Sequence, residues 1–302
     1  MMGRMIQKMA NDEAKSFKLW RGTKALAAAA LALSLFTSAA FTNPAAASGS
    51  LQQTTNAASL YASGTTHSAT SYEEITDIVF NVMSNNYGEH VTIRYRGDTA
   101  GIDKKLQQVF KDVGAKDDYM RFVLKKMTWN WTSTAFEATI DFRMTYWETP
   151  EQSEAVREEV QKAVADKSIA SKRNREQLLA MYEWVMGRLR YDRTLANHSA
   201  YAGLFGTEGT VCQGYALLLH RMLEETGYES RLVYGKAKGD LHIWNMVKLN
   251  GTWHHLDATL DDPAYGRSKL AYFMKPESVM LKDHTWDLAA YPRTEATTKS
   301  SK

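Results

Sequence analysis

The 302-residue chain contains only one cysteine, Cys212. A single cysteine excludes an intramolecular disulfide, so the hydrophobic core alone has to stabilise the fold. About 250 residues remain when the N-terminal segment 1–47, described below, is left out. This length is enough for one large domain or two smaller ones. In an exported protein an unpaired thiol is either reactive or a chemical liability, which favours a reactive role for Cys212.

The sequence also lacks a long uninterrupted apolar run. The apolar stretch 25–36 follows the basic residues Arg21 and Lys24, and Ala45-Ala46-Ala47 comes soon after it. This pattern predicts a signal peptide over residues 1–47 and a secreted or cell-envelope location. The stretch is shorter than the roughly 20 residues of a membrane span, although an uncleaved N-terminal anchor stays an open alternative. No cysteine follows it closely, which excludes a lipid-modified cysteine anchor.

A strong excess of charge is missing as well. The formal net charge is +3, but residues 1–47 hold six of the 37 Lys and Arg residues and only two of the 34 Asp and Glu residues. The remainder has a net charge near −1, so the composition gives no support for nucleic-acid binding. Export without disulfides is typical of Gram-positive extracellular proteins, which indicates a bacterial origin.

Helix and strand patterns alternate along the chain without an internal repeat, which predicts an α+β protein. The expected divisions are a signal peptide or anchor at 1–47, a flexible linker at 48–71, a small α+β domain at 72–170, a second α+β domain at 171–290 and a flexible tail at 291–302. In the first domain we expect helices at 72–83, 101–113, 118–126 and 150–165, and strands at 90–95, from Trp129, and at 139–146.

Aromatic residues alternate with polar ones in two of these strands, around Trp129-Asn130-Trp131 and in residues 140–147. One interpretation is an aromatic platform for a sugar or peptide. We favour the other, half-buried strands whose aromatic side chains pack under helices, because such strands alternate in any case.

Cys212 lies in the sequence Gly-Thr-Val-Cys-Gln-Gly-Tyr-Ala, residues 209–216. A glycine-containing turn followed by an apolar run predicts a helix that begins near Cys212 and ends at Gly227. The free N–H groups and the dipole at a helix N-terminus favour a thiolate over a thiol. Cys212 is therefore a candidate nucleophile, and the alternative is a small buried hydrophobic residue.

Two β-prone runs, residues 241–249 and 252–259, flank Asn250-Gly251, the dipeptide most typical of a two-residue hairpin turn. This turn makes His242 and Asp257 diagonal neighbours on one face of the hairpin, with Cβ atoms within roughly 8 Å. The carboxylate can then contact the imidazole. A bulge between the strands would reverse the assignment.

These three residue types can perform nucleophilic catalysis together. The thiol of Cys212 attacks an acyl carbon, His242 takes up and returns the proton, and Asp257 fixes the tautomer and charge of the histidine. The alternative for His242 and Asp257 is a polar pair on a half-exposed sheet, without catalytic function.

A metal site is the competing interpretation of the same region, where His254 and His255 are neighbours. Adjacent residues of a strand point to opposite faces, so these two histidines cannot bind one ion without a bulge. We therefore predict no metal and no cofactor. Asp261-Asp262-Pro263 is typical of a turn.

Three segments resemble the transglutaminase-like superfamily of papain-related cysteine enzymes. Residues 209–216 resemble the nucleophile helix of the family, 241–247 its histidine strand, and 251–263 its acid strand. The resemblance extends from about Ser171 to Trp286, and its last part, residues 282–287, is similar to a tail segment of bacterial members. Ala258 departs from the family pattern, because many members have proline there.

The resemblance implies a papain-like catalytic core at 171–290 with Cys212, His242 and Asp257 as its triad. It implies an acyltransferase or amide hydrolase that acts on protein or peptide carboxamides through a thioester. Two alternatives stay open: a cysteine peptidase acting on cell-envelope peptides, and a non-catalytic binding or assembly module that retains the triad. The expected partner is a protein or peptide, and contact with a membrane is expected only through an uncleaved N-terminal segment.

Overall fold

The computed structural model describes residues 66–263 and 270–294. The predicted signal peptide or anchor lies outside these residues. The strands are β1 (Thr66–Ala69), β2 (His90–Arg96), β3 (Leu124–Ser133), β4 (Glu137–Tyr146), β5 (Ser230–Ala237), β6 (Asp240–Leu249), β7 (Thr252–Leu256), β8 (Phe273–Lys275) and β9 (His284–Trp286). The helices are α1 (Tyr72–Ser84), α2 (Ile102–Lys116), α3 (Asp118–Val123), α4 (Pro150–Ala165), α5 (Lys167–Ala170), α6 (Asn174–Arg188), α7 (Ala200–Phe205), α8 (Cys212–Glu225), α9 (Ala258–Asp261) and α10 (Glu277–Met280).

The first sheet has the strand order β1-β2-β4-β3, with β1 parallel to β2 and the other pairs antiparallel. Strand β4 alternates buried Ile140, Phe142 and Met144 with more exposed residues, as expected of a sheet covered on one face. Trp129 packs against α2, where its ring lies 6.3 Å from that of Phe110. The favoured interpretation of the aromatic strands, packing under helices, is confirmed for Trp129.

The second sheet has the order β8-β7-β6-β5-β9, and all its pairs are antiparallel. Helix α8 packs on β6 and β5 through an almost fully buried face. The side-chain amide of Asn245 in β6 donates to the carbonyl of Ala216 in α8 at 2.9 Å, which fixes the helix along the strand. The α+β class and the predicted core, a helix that begins at Cys212 and packs on an antiparallel sheet, are both present.

All the described residues belong to one compact unit, in which helices α3 and α4 pack against α8. Gln213 donates to the carbonyl of Phe122 at 2.6 Å, and Arg231 pairs with Asp118 at 2.6 Å. The segment predicted as a small first domain therefore contacts both the start of α8 and strand β5. A division into two domains near residue 170 stays a prediction.

The structure corrects two predictions in the first half of the chain. Thr66–Ala69, predicted as part of a flexible linker, forms β1 at the edge of the first sheet. The helix expected over 118–126 ends at Val123, because Leu124 already begins the long strand β3 beside β4. In both cases pairing with a distant strand overrides the local pattern.

Two further corrections concern the second half. The strand expected over 252–259 ends at Leu256, and the chain turns into helix α9. The tail expected to be flexible from residue 291 is packed as far as it is described: Tyr291 is buried beside Val233 and Trp244, and Thr294 accepts a hydrogen bond from the Glu277 amide at 2.6 Å. Among the helices described, none has the length and apolar character needed to cross a membrane.

Candidate functional site

Hydrogen bonds from Thr210 to the preceding loops hold the N-terminus of α8 in place. The Thr210 amide donates to Arg190 at 2.9 Å, and its hydroxyl lies 3.0 Å from the carbonyl of Ser199. Gly214, in the first turn, packs so closely that a Cβ there would collide with the Thr210 hydroxyl and the Ser199 carbonyl. The position of Cys212 is therefore set by the loop packed under the first turn of its helix.

The side chain of Asp192 holds together the loop of residues 192–197, which packs under this helix. Its side chain is 1% exposed and accepts hydrogen bonds from Thr194, Ala196 and Asn197 at 2.6–3.1 Å. Burial opposes a charge on this carboxyl, but the hydrogen bonds from Thr194 and from the backbone amides outweigh it and lower the pKa of Asp192. Asp192 thus holds the 192–197 loop, which in turn holds Thr210 and Val211.

Asp192→Asn is expected to lower the free energy of unfolding at pH 7 by about 2–3 kcal/mol, because an amide cannot accept this set of charge-assisted bonds. The folded pKa lies below the unfolded value of about 3.9, so the contribution is present above that pH and is lost as the pH falls through the folded pKa. Urea unfolding at pH 7 and pH 3 measures the difference. A loss of stability that is the same at both pH values would contradict this account.

His242 in β6 and Asp257 come together as the hairpin geometry predicts. The Nε2 atom of His242 donates to Oδ2 of Asp257 at 2.8 Å, and both side chains are almost fully buried. The hairpin pairs Leu249 with Thr252 in the expected register, but the ladder ends at the Asn245–Leu256 pair. Asp257 therefore reaches His242 from just beyond the strand, where it also caps α9 by accepting the Leu260 amide at 3.1 Å.

Cys212 completes the group. Cys212 is partly buried, and its charge and hydrogen bond are among the influences that raise the pKa of His242, so its thiol lies beside the His242 ring. Because Nε2 of that ring is bonded to Asp257, Nδ1 is the nitrogen left to face the thiol. The structure thus brings the three predicted site residues into one chain of contacts, from thiol to imidazole to carboxylate.

The electrostatics of the buried pair stabilise its charged form. Burial opposes a charge on His242, but the charges of Asp257 and Cys212 and the hydrogen bonds to both raise its pKa to about 10. Burial also opposes a charge on Asp257, and there the charge and hydrogen bond of His242, together with those of His284, hold the pKa well below its usual range.

His284 is a further residue of this site that was not predicted from the sequence. This residue of β9 is fully buried, and its Nε2 lies 3.1 Å from Oδ2 of Asp257, the oxygen that His242 also contacts. Its Nδ1 lies 2.7 Å from Oδ1 of Asp283. Only the similarity of residues 282–287 to a family tail segment marked this stretch, and it said nothing about contact with Asp257.

Aromatic side chains line the same face of the sheet. Trp244 lies two residues after His242 in β6, and its indole N–H donates to Nδ1 of His255 at 2.9 Å. Burial, together with the nearby His284 and His254, lowers the pKa of His255 to about 3, so His255 is neutral. The ring of Trp286 lies 4.8 Å from that of His255, edge to face. These contacts exclude water from the inner side of the His242–Asp257 pair.

Asp261 and Asp262, predicted as part of a turn, are both buried at the end of the short helix α9. Asp261 ends α9 and accepts the Tyr182 hydroxyl at 2.8 Å, and burial raises its pKa. Asp262 accepts the Tyr215 hydroxyl at 2.6 Å. The two carboxyl groups tie α6 and α8 to the chain that follows Asp257.

A metal ion would have one place to bind among the described residues. Donor atoms of His242, Asp257 and His284 all lie within 4.8 Å of one another. The same nitrogens already hydrogen-bond to the carboxylate, and His242 also faces a thiol. These donor atoms are therefore already engaged in hydrogen bonds with one another. That the candidate site holds no metal stays a prediction.

Comparison with known proteins finds a similarity over the region that contains the site. Residues 162–258 match the sequence profile of the transglutaminase-like superfamily, a segment that contains Cys212, His242 and Asp257. Human and mouse kyphoscoliosis peptidase are each 27% identical to the chain over 150 residues, which cover 39% of this chain and 22% of each relative. The chain thus matches less than a quarter of the length of these relatives.

Two solved structures are also similar. One is described as a TGase, with 16% identity, a TM-score of 0.32, and coverage of 57% of this chain and 51% of its own. The other is a candidate cysteine protease from Cytophaga hutchinsonii, with 16% identity, a TM-score of 0.31, and coverage of 47% and 68%. The similarity that identifies a family is that of the sequence profile: residues 162–258 of this chain match the transglutaminase-like superfamily.

Proposed function

We propose that this protein is a cysteine-dependent enzyme that cleaves or exchanges amide bonds of proteins or peptides through a thioester on Cys212. The observation that carries the proposal is the chain of contacts from Cys212, which is only partly buried, through the buried His242 to Asp257. A polar pair with only a structural role would not need a cysteine beside its imidazole.

The reaction follows from these contacts. The thiol proton of Cys212 passes to Nδ1 of His242, and the thiolate attacks the carbonyl carbon of the amide. His242 then gives its proton to the departing nitrogen as the C–N bond breaks, which leaves a thioester on Cys212. Water or a second amine attacks the thioester, His242 accepts the incoming proton, and that proton returns to the sulfur as the thiol leaves. Asp257 keeps the ring oriented throughout.

The N-terminus of α8 supplies charge stabilisation for the intermediate. The backbone N–H of Cys212 belongs to the unpaired first turn of a 14-residue helix, so it is a candidate donor to the oxyanion.

The molecule that attacks the thioester on Cys212 decides the reaction class. An amine acceptor gives cross-linking, whereas water gives deamidation or peptide-bond hydrolysis.

Peptide hydrolysis is the second candidate function. It is favoured by the relatives named kyphoscoliosis peptidase, of which only a small part aligns with this chain. The alternative from a different class is a binding or assembly module that has retained the three residues without turnover. Because the N-terminal sequence predicts export, we also propose that the protein is a secreted or cell-envelope protein of bacterial origin and that its substrate is a surface protein or wall peptide.

The test is an assay of the full chain on a glutamine-rich protein and on a set of peptides, beside Cys212→Ala. Ammonia release, incorporation of a labelled amine and new peptide termini are measured together. Cysteine-dependent amine incorporation identifies a transglutaminase, ammonia without incorporation a deamidase, and new termini a peptidase. If none of the three is found while the thiol reacts normally with alkylating agents, the binding module becomes the better account.

A further inference from the structure

His284 lies between two carboxylates at the centre of the second sheet. Nε2 of the ring is 3.1 Å from Asp257 Oδ2, and Nδ1 is 2.7 Å from Asp283 Oδ1. An ionised carboxylate only accepts hydrogen bonds, so each ring nitrogen that faces one has to carry a proton. The hydrogen-bond pattern therefore requires both nitrogens of His284 to be donors.

The fold holds the ring in this place from several sides. Strand β9 pairs with β5 so that His284 lies opposite Ala237 and Trp286 opposite Gly235, while Gly235 also pairs with His242. A Cβ on Gly235 would collide with the Thr285 carbonyl and crowd Trp244, so this close packing requires glycine. The missing side chain lets β9 bring its rings up to those of β6.

Asp283 is itself anchored. Its Oδ2 accepts the Tyr272 hydroxyl at 2.5 Å, and its carbonyl accepts the Lys238 amide at 2.7 Å. The rings of Tyr272 and His284 lie 5.2 Å apart, edge to face. The second carboxylate is thus as fixed as the first, and His284 cannot turn away without losing a bond at each nitrogen.

These contacts restrict the orientation of the Asp257 carboxylate. Oδ1 of this carboxylate is held by the Leu260 amide, while Oδ2 receives both His242 and His284. A carboxylate held at both oxygens cannot rotate about its Cβ–Cγ bond, so the oxygen that orients His242 stays in one place. This arrangement is the usual way in which a partner outside the reacting groups sets the orientation of a reacting imidazole.

We propose that His284, clamped by Asp283 and Tyr272, is a positioning residue that fixes the Asp257 carboxylate and through it the reactive orientation of His242. His284 lies beyond the segment that matches the family profile, residues 162–258. The proposal rests on the proposed function for its catalytic consequence, but not for the hydrogen-bond arrangement itself.

The kinetic test uses the full chain with His284→Gln, which keeps one N–H donor, and Asp283→Asn, which keeps the shape of the clamp. Both are expected to lower kcat about 10- to 100-fold with KM changed less than about twofold, because substrate contacts are untouched. The rate of iodoacetamide modification of Cys212 is expected to fall in parallel.

His220→Gln is the matched control. His220 is also a buried imidazole of this domain, bonded to Ser230 at 2.7 Å and lying 3.3 Å from Glu224. It is expected to cost stability while kcat and the alkylation rate stay near the wild-type values. A wild-type kcat in His284→Gln, or an equal fall of kcat in His220→Gln, would overturn the proposal.

A spectroscopic measurement separates this proposal from the proposed function. The ring-nitrogen NMR signals of His284, assigned as those lost in His284→Gln, are expected to show two protonated nitrogens at pH 7.5. If one nitrogen is unprotonated, His284 does not donate hydrogen bonds to both Asp257 and Asp283, and the proposal is refuted whatever the activity of the protein. Two protonated nitrogens and slowed alkylation, in a protein that turns over no amide, would support the clamp while the proposed function fails.

Discussion

Cys212→Ala is expected to lower kcat/KM for any amide substrate at least about 1,000-fold while leaving the thermal unfolding midpoint within a few degrees of wild type. The loss is large because the thiol forms the covalent intermediate, so no later step can proceed without it. The fold should tolerate the change because the side chain is small and half-buried at the start of α8. Since Cys212 is the only cysteine, loss of thiol labelling confirms the variant directly.

The hairpin offers a matched pair of variants that tests the general base. His242→Asn removes the imidazole that contacts both Cys212 and Asp257, and it is expected to lower kcat/KM by a similar factor. His254→Asn removes an imidazole of the next strand that pairs with Val247 on the opposite face, and it should change activity less than about threefold. Equal losses in both variants, or activity that survives Cys212→Ala, would rule out the proposed mechanism.

Local sequence predicted the site best where a short-range rule governs the backbone. Asn250 and Gly251 adopt the positive φ angles, 50° and 81°, that a two-residue hairpin turn demands, and they fix the pairing of β6 with β7. That register places Leu256 opposite Asn245, and Asp257 reaches His242 from the next position along the chain. Helix α8 begins at Cys212 for an equally local reason, a glycine-containing turn before an apolar run.

The features that the sequence did not reveal include one local contact and two distant ones. The chain leaves β7 after Leu256 because Asp257 caps α9, a local change that alternation of side chains cannot signal. His284 lies 27 residues after Asp257 in the chain and contacts it across strands β5 and β6, and no spacing rule predicts that contact. Strand β1 is likewise defined only by its pairing with β2. Tertiary contacts outweighed local preference at His284 and at β1.

Asp257→Asn is expected to lower the free energy of unfolding by about 3–5 kcal/mol, because it leaves a buried His242 without its counter-charge. It should also lower kcat about 100- to 10,000-fold, because an amide no longer fixes the tautomer of His242. For the stability measurement Asp192→Asn is the matched control, because Asp192 is an equally buried aspartate whose hydrogen-bond donors are amides and a hydroxyl rather than imidazoles.

The pH dependence of that stability loss identifies its cause. The folded pKa of Asp257 lies below the unfolded value of about 3.9, so its contribution is present above that pH and is lost as the pH falls through the folded pKa. The pKa of His242 is raised to about 10, so its contribution is complete below about pH 6.5 and is lost as the pH rises towards 10. Urea unfolding should therefore show the largest gap between wild type and Asp257→Asn at pH 4–6.5, and a smaller gap at pH 9–10. The difference in free energy of unfolding between wild type and Asp192→Asn should stay the same between pH 6.5 and 10. If this difference becomes smaller at alkaline pH in both variants, the His242–Asp257 pair is not the cause of the pH dependence.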